Sequence, residues 1–349
     1  MNSHRVRERG ESAVAETGAV RGAGRAHSKA ILLGEHTVVH GTPAIAFPLP
    51  ALSVRALART GAPAEPPPAA GPEFRFSAGN TTTAEAPSGP QVAVETALRQ
   101  WGLGGEVVEV VLECDIPRAS GLGSSAACGG AAVRAVADLY GRSLDPGTLY
   151  DLVQCGEQVA HGRASGVDAS AVLATGPIWF HEGRARPLSV GADAALVLAD
   201  TGMPGATQHA VAAVRRRLDR DPHAAGRILD RARELTGTAA ADLAAGRIEP
   251  LGRALLDFQD LLTELGVSTP EIDTLVAAAR AAGAFGAKLT GAGLGGCVLA
   301  LTEKGGDAAT VSAALQRAGA VRTWIVPVHS VPPEAIPYSH PTPERGTRQ

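Results

Sequence analysis

An α+β chain built as two domains is predicted by three features. Apolar, strand-like runs with two helices fill the first half; residues 207–283 read as almost continuous helix; short strands around a glycine-rich loop close the chain. The 349 residues, 45% of them hydrophobic, carry enough apolar surface for two cores.

Residues 1–23 are charged, contain glycine and show no apolar periodicity, so they read as a flexible leader, with order starting at Gly24. Residues 30–33 and 44–47 read as buried strands around a polar turn, and 52–56 as a further strand. Residues 61–71, rich in proline and alanine, read as an exposed loop. Helical spacing follows over 92–101, then a strand over 106–114. A Gly/Ser loop at 121–125 feeds a small-residue helix over 125–140, and a second helix covers 149–161. Residues 194–199 read as a strand entering the turn Asp200-Thr201-Gly202.

Four helices are predicted over 211–218, 226–244, 248–265 and 270–282. Residues 287–290 and 297–301 are strand-like and flank a second Gly-rich loop. A last strand covers 321–328, where Pro327 marks a sheet edge or a strand end. A Pro-rich tail runs over 331–349. The expected domains are 24–187 and 188–330, and no internal repeat is visible.

Net charge is −3, which argues against a nucleic-acid or membrane-surface protein. No apolar run reaches membrane-spanning length, and the N-terminus lacks the apolar segment of a signal peptide. Cys114, Cys128, Cys155 and Cys297 form no C-x-x-C pair or zinc spacing, so they read as buried thiols in a reducing cytoplasm.

Four segments carry chemistry. The first is Ile116-Pro117-Arg118-Ala119-Ser120-Gly121-Leu122-Gly123-Ser124-Ser125-Ala126. Its glycines permit positive φ and close backbone approach, its N–H groups can form an anion nest, and the following helix adds its positive end. No Gly-Lys-Ser/Thr follows, so it is not a Walker A loop. The second is Lys288-Leu289-Thr290-Gly291-Ala292-Gly293-Leu294-Gly295-Gly296, which alone fits a tight hairpin as well as a phosphate loop. The third places Lys29 before an apolar strand and Glu35-His36 after it. The fourth holds Glu157 on a helix and Asp168 past a glycine turn; alone, these read as a surface acid and a turn acid. Phosphoryl transfer needs Mg²⁺ on oxygen ligands and a carboxylate facing the attacking hydroxyl, and two carboxylates can divide those tasks.

In combination these segments resemble the GHMP kinase superfamily over about residues 25–330. Gly34-Glu35-His36-Thr37-Val38-Val39-His40-Gly41, His161-Gly162-x-x-Ser165-Gly166-Val167-Asp168 and Leu265-Gly266-Val267-Ser268 resemble its mevalonate kinase family, whereas galactokinases follow Glu-His with Thr-Asp-Tyr. The resemblance implies an N-terminal domain like ribosomal protein S5 domain 2 and a ferredoxin-like C-terminal domain. It implies ATP and Mg²⁺ as cofactors, mevalonate as the small-molecule acceptor, and leaves a homodimer open. It implies Asp168 as catalytic base and Lys29 as its partner. Ala119, Ser120, Gly121, Leu122, Gly123, Ser124 and Ser125 would bind the phosphates, with Gly291 and Gly293 as buttress. Ser125 and Glu157 would hold the metal, and Glu35, His36 and Thr201 would line the acceptor site. Arg163 and Arg55 are the candidates for the substrate carboxylate.

Three departures stand out. His27-Ser28 replaces the frequent Pro-Gly, Arg118-Ala119-Ser120 stands where glycine is frequent, and Gly-Ala-Gly replaces Gly-Gly-Gly in the later loop. The rivals are another small-alcohol kinase of the superfamily and a catalytically silent ligand sensor. The sensor is disfavoured because Lys29, Ser125, Glu157 and Asp168 are all present.

Overall fold

A computed structural model describes residues 21–61, 73–79, 87–162 and 164–328. The predicted tail and all but Gly61 of the Pro/Ala loop lie outside the described residues.

The chain opens with β1 (Arg21–Leu33), a 3₁₀ turn (Thr37–His40), β2 (Ala44–Thr60), β3 (Glu73–Gly79), α1 (Gly89–Gln100) and β4 (Val107–Cys114). Helices α2 (Ser124–Leu139), α3 (Pro146–His161) and α4 (Val167–Leu173) follow, then the hairpin β5 (Ile178–His181) and β6 (Arg184–Pro187). The second half runs β7 (Ala194–Asp200), α5 (Thr207–Arg220), α6 (Pro222–Ala245), α7 (Ile248–Glu264) and α8 (Pro270–Ala281). It ends with β8 (Gly286–Thr290), β9 (Cys297–Glu303), α9 (Gly306–Arg317) and β10 (Arg322–Val328).

Two antiparallel sheets organise these elements. The first has the order β3-β4-β2-β5-β6, with β1 paired along β2. The second has the order β10-β7-β9-β8, the arrangement of a βαββαβ unit, with Pro327 on its edge strand as expected. The change of sheet falls between Pro187 and Ala194. Helix α2 lies on β1 and β2. Alanine and glycine make that approach close: a Cβ at Gly24 would stand 2.1 Å from the Ala131 carbonyl oxygen. Four helices begin with a capping side chain and a proline in the first two helical positions: Ser88 for α1, Asp145 for α3, Asp221 for α6 and Thr269 for α8.

The structure corrects several expectations. Residues 21–23, expected in the leader, are strand paired with β2; residues 1–20 lie outside the described residues. Residues 21–26 alternate exposed and buried, but glycine and alanine hide that alternation in the sequence. The strands expected at 44–47 and 52–56 are one strand. Pro48 and Pro50 fit inside it because β5 pairs only residues 44–46 and β4 only 54–60, leaving one edge of β2 open between them. The sequence reading missed β3, α4, the β5–β6 hairpin and α9. Of the four free cysteines only Cys297 is buried; Cys114, Cys128 and Cys155 are half-buried. No described helix is long and apolar enough to cross a membrane.

Candidate active site

Lys29 lies on β1 with its side chain 2% exposed. Its Nζ stands 3.0 Å from Asp168 Oδ1 and donates to the Gly121 carbonyl at 2.9 Å. Asp168 sits in the first turn of α4, 35% exposed. The lysine stem runs past Gly123, while the ion pair and the carbonyl engage its ammonium.

The loop before α2 is packed back to back with the loop between β8 and β9. A Cβ at Gly291 would lie 2.5 Å from Gly121 Cα, and one at Gly121 would lie 2.5 Å from the Thr290 carbonyl oxygen. Both glycines hold positive φ, at +79° and +88°. The Cys297 N–H donates to the Ser120 carbonyl at 3.1 Å, and the Gly205 N–H to the Ala119 carbonyl at 2.7 Å. Three segments therefore fix this loop from outside. Gly123 also lies on Lys29: an added Cβ would meet its Cε at 2.9 Å. The first turns of α2, α4 and α5 line one cavity; α2 and α5 carry no capping side chain, whereas the first N–H of α4, at Val167, donates to Ser165 Oγ at 3.3 Å. Helix starts of this kind present free N–H groups and positive dipole ends.

That cavity has a volume of about 530 Å³. It brings together Lys29, Glu35, His36, Ala119, Gly121, Gly123, Ser124, Ser125, Glu157, Asp168 and Gly291. Ser120, Leu122, Gly293 and Thr201 do not line it. Ser120 Oγ donates to the Pro117 carbonyl at 2.8 Å, and Leu122 belongs to the core. Gly293 packs on the Val267 backbone, and Thr201 Oγ1 donates to the Gly296 carbonyl at 2.8 Å. Arg55 is exposed on β2, away from the cavity, and Arg163 lies outside the described residues. The sequence reading gave no role to Gln154, Gly205, Ala206, Thr207 or His209, which also line it. The Gly205 contact reaches residue 119 across the chain, so it leaves no local trace.

Beneath the cavity Glu35 and Lys288 form an ion pair with neither side chain exposed. Burial pushes the Glu35 carboxyl up and the Lys288 ammonium down, and their mutual attraction opposes both. Glu35 Oε2 has no hydrogen-bond partner among the described residues. His36 Nε2 lies 2.8 Å from the Ala292 carbonyl, and burial lowers its pKa to about 4, so the ring is neutral near pH 7. Val38 and Val39 add an apolar wall.

The donor set fits a nucleotide and a hard cation. Backbone N–H groups and glycine cradles suit phosphate; a 4% exposed carboxylate, Glu157, and the Ser125 hydroxyl are oxygen ligands of the kind Mg²⁺ takes alongside substrate phosphates.

Comparison with known proteins agrees with this geometry. The family model described as GHMP kinases N terminal domain matches residues 90–176, and GHMP kinases C terminal matches 239–321. Mevalonate kinase of Thermococcus gammatolerans is 34% identical over 312 residues, covering 82% of this chain and 90% of that protein. Mevalonate kinase of Methanothermobacter thermautotrophicus is 34% identical over 276 residues, covering 79% and 88%. The crystal structure of L. major mevalonate kinase in complex with R-mevalonate superposes with a TM-score of 0.73 at 25% identity, covering 90% of this chain and 98% of that one. The chain belongs to the mevalonate kinase family of the GHMP kinases.

Proposed function

We propose that the protein transfers the γ-phosphoryl group of ATP to the 5-hydroxyl of (R)-mevalonate. The observation that carries this reading is the Lys29–Asp168 pair, 3.0 Å apart in the cavity that the glycine loop also lines. A cation and a carboxylate meet there where a phosphate cradle faces an acceptor pocket.

Ala119, Gly121, Gly123, Ser124 and Ser125 hold the ATP phosphates through the loop's backbone N–H groups, and Gly291 keeps the loop in place from behind. Ser125 and Glu157 would hold Mg²⁺, which neutralises phosphate charge when bound. Lys29 faces the charge that spreads over the transferring group, and its Gly121 contact fixes it relative to the loop. Asp168 orients the acceptor hydroxyl and takes its proton as oxygen attacks phosphorus. Glu35 and His36 line the polar end of the acceptor site, Glu35 from its buried pair with Lys288, and Val38 and Val39 exclude water from the acceptor's carbon side. Most of the acceleration comes from positioning and charge neutralisation. Four free cysteines support a reducing compartment, such as the cytoplasm, as the place of the reaction.

A coupled ADP-release assay with mevalonate, phosphomevalonate, galactose and homoserine tests this reading. Turnover of mevalonate with galactose inert is expected, because Val38 and Val39 offer no polar group to a sugar. Galactose turnover without mevalonate turnover would overturn it.

A further inference from the structure

The dipeptide before Lys29 has no role in the mechanism above, yet it touches two parts of the catalytic apparatus. Ser28 is fully buried, and its Oγ donates to the Leu122 carbonyl at 2.8 Å. The Lys29 N–H donates to the same oxygen at 3.1 Å, and Lys29 Nζ to the adjacent Gly121 carbonyl at 2.9 Å. Three donors from two successive residues therefore converge on two successive carbonyls of the glycine loop.

His27 points the other way. Its Nε2 stands 2.8 Å from the carbonyl oxygen of Ala174, the residue that ends α4. Its Nδ1 stands 2.9 Å from the Ser28 carbonyl oxygen. Helix α4 has only seven residues, so about 10 Å of rigid helix separates this contact from Asp168. The pairing of β1 with β2 shifts register between His27 and Ser28. The unpaired residues of this irregularity, 50–52, lie on β2, so β1 runs through it without an insertion. Ser28 and Lys29 are both buried, though they are neighbours, because β1 is covered on both faces from Ser28 to Leu33.

We propose that His27 and Ser28 are positioning residues that hold Lys29, the glycine loop and the Asp168 helix in one register for phosphoryl transfer. Ser28 ties the lysine strand to the loop. His27 ties the same strand to the far end of α4. The proposal rests on the reading of Asp168 and Lys29 given above.

The test measures kcat, both KM values and melting temperature for wild type, His27→Phe, His27→Gln, Ser28→Ala, Asp168→Asn and the His27→Phe/Asp168→Asn double variant. Phenylalanine keeps the ring shape and loses both nitrogens; glutamine restores an N–H donor. His27→Phe and Ser28→Ala should each lower kcat about tenfold, since small misplacements of reacting groups cost that much or more. His27→Gln should recover most of the loss. In the Asp168→Asn background His27→Phe should add less than about a twofold loss, because the two act as one unit. Lowered melting temperature with unchanged kcat per folded molecule overturns the proposal. So does a full tenfold loss in the Asp168→Asn background. If His27→Phe does not fold, Ser28→Ala decides alone: unchanged kcat refutes the latch. Undiminished kcat in Asp168→Asn would instead refute the reading of the active site, which keeps the two failures distinct.

Discussion

Glu35 and Lys288 stand 253 positions apart in the chain and form an ion pair sealed from solvent. The pair joins the turn after β1 to strand β8, and so ties the two sheets together under the cavity. Lys288 Nζ also stands 5.8 Å from the centre of the Phe258 ring. Removing one partner leaves the other buried and uncompensated. Glu35→Gln and Lys288→Met should therefore each destabilise the protein by roughly 3–5 kcal/mol. The double variant should lose less than the sum of the two. Urea denaturation of all three checks this; additive losses would contradict it.

The contact between Gly121 and Gly291 leaves no space for a side chain. Gly291→Ala would bring a methyl group to 2.5 Å from Gly121 Cα in a left-handed backbone. The loop must shift, and a shift of about 1.4 kcal/mol in phosphate binding is tenfold in affinity. Titration calorimetry with ATP should show weakened binding of at least that order. Unchanged affinity would remove the back-to-back loops from the binding account.

Ser125→Ala and Glu157→Gln each take one oxygen ligand from a hard cation. Both should raise the magnesium concentration needed for half-maximal velocity while leaving the fold intact. Magnesium titrations that superpose on the wild-type curve would contradict the metal assignment.

His36 titrates near pH 4 when folded because burial disfavours its charged form, against 6.5 as the ordinary value. Between these values the unfolded chain binds more protons, so stability falls as pH drops from 6.5 towards 4 and is flat above. His27 shifts in the same direction, with burial again the largest cause. His36→Asn removes one of the two titrations. Melting temperature should then fall less steeply than in wild type below pH 6.5; parallel profiles would contradict the burial argument.

Local chemistry made part of the site legible. Glycines and serines between a strand and a helix announced the 119–125 loop, and a lysine and an acid at the ends of one apolar strand marked Lys29 and Glu35. The pairing of Glu35 with Lys288 was not legible, nor was the Gly205 contact, because these residues meet only through the tertiary fold. The resemblance implies Thr201 in the acceptor site, but its hydroxyl engages the Gly296 carbonyl and Thr201 does not line the cavity. The fold divides similarly. Long periodic helices such as α6 and α7 were readable, whereas α4, with seven residues, and the four-residue strands β5 and β6 are too short to show a period.

The kcat of Asp168→Asn tests the central claim most directly. Asparagine keeps the shape but loses the negative charge facing Lys29 at 3.0 Å and the capacity to accept a proton. General-base assistance is typically worth about 10²–10⁴-fold, so kcat should fall at least about a hundredfold, with melting temperature and ATP affinity nearly unchanged. A folded Asp168→Asn protein that phosphorylates mevalonate at close to the wild-type rate would contradict the account.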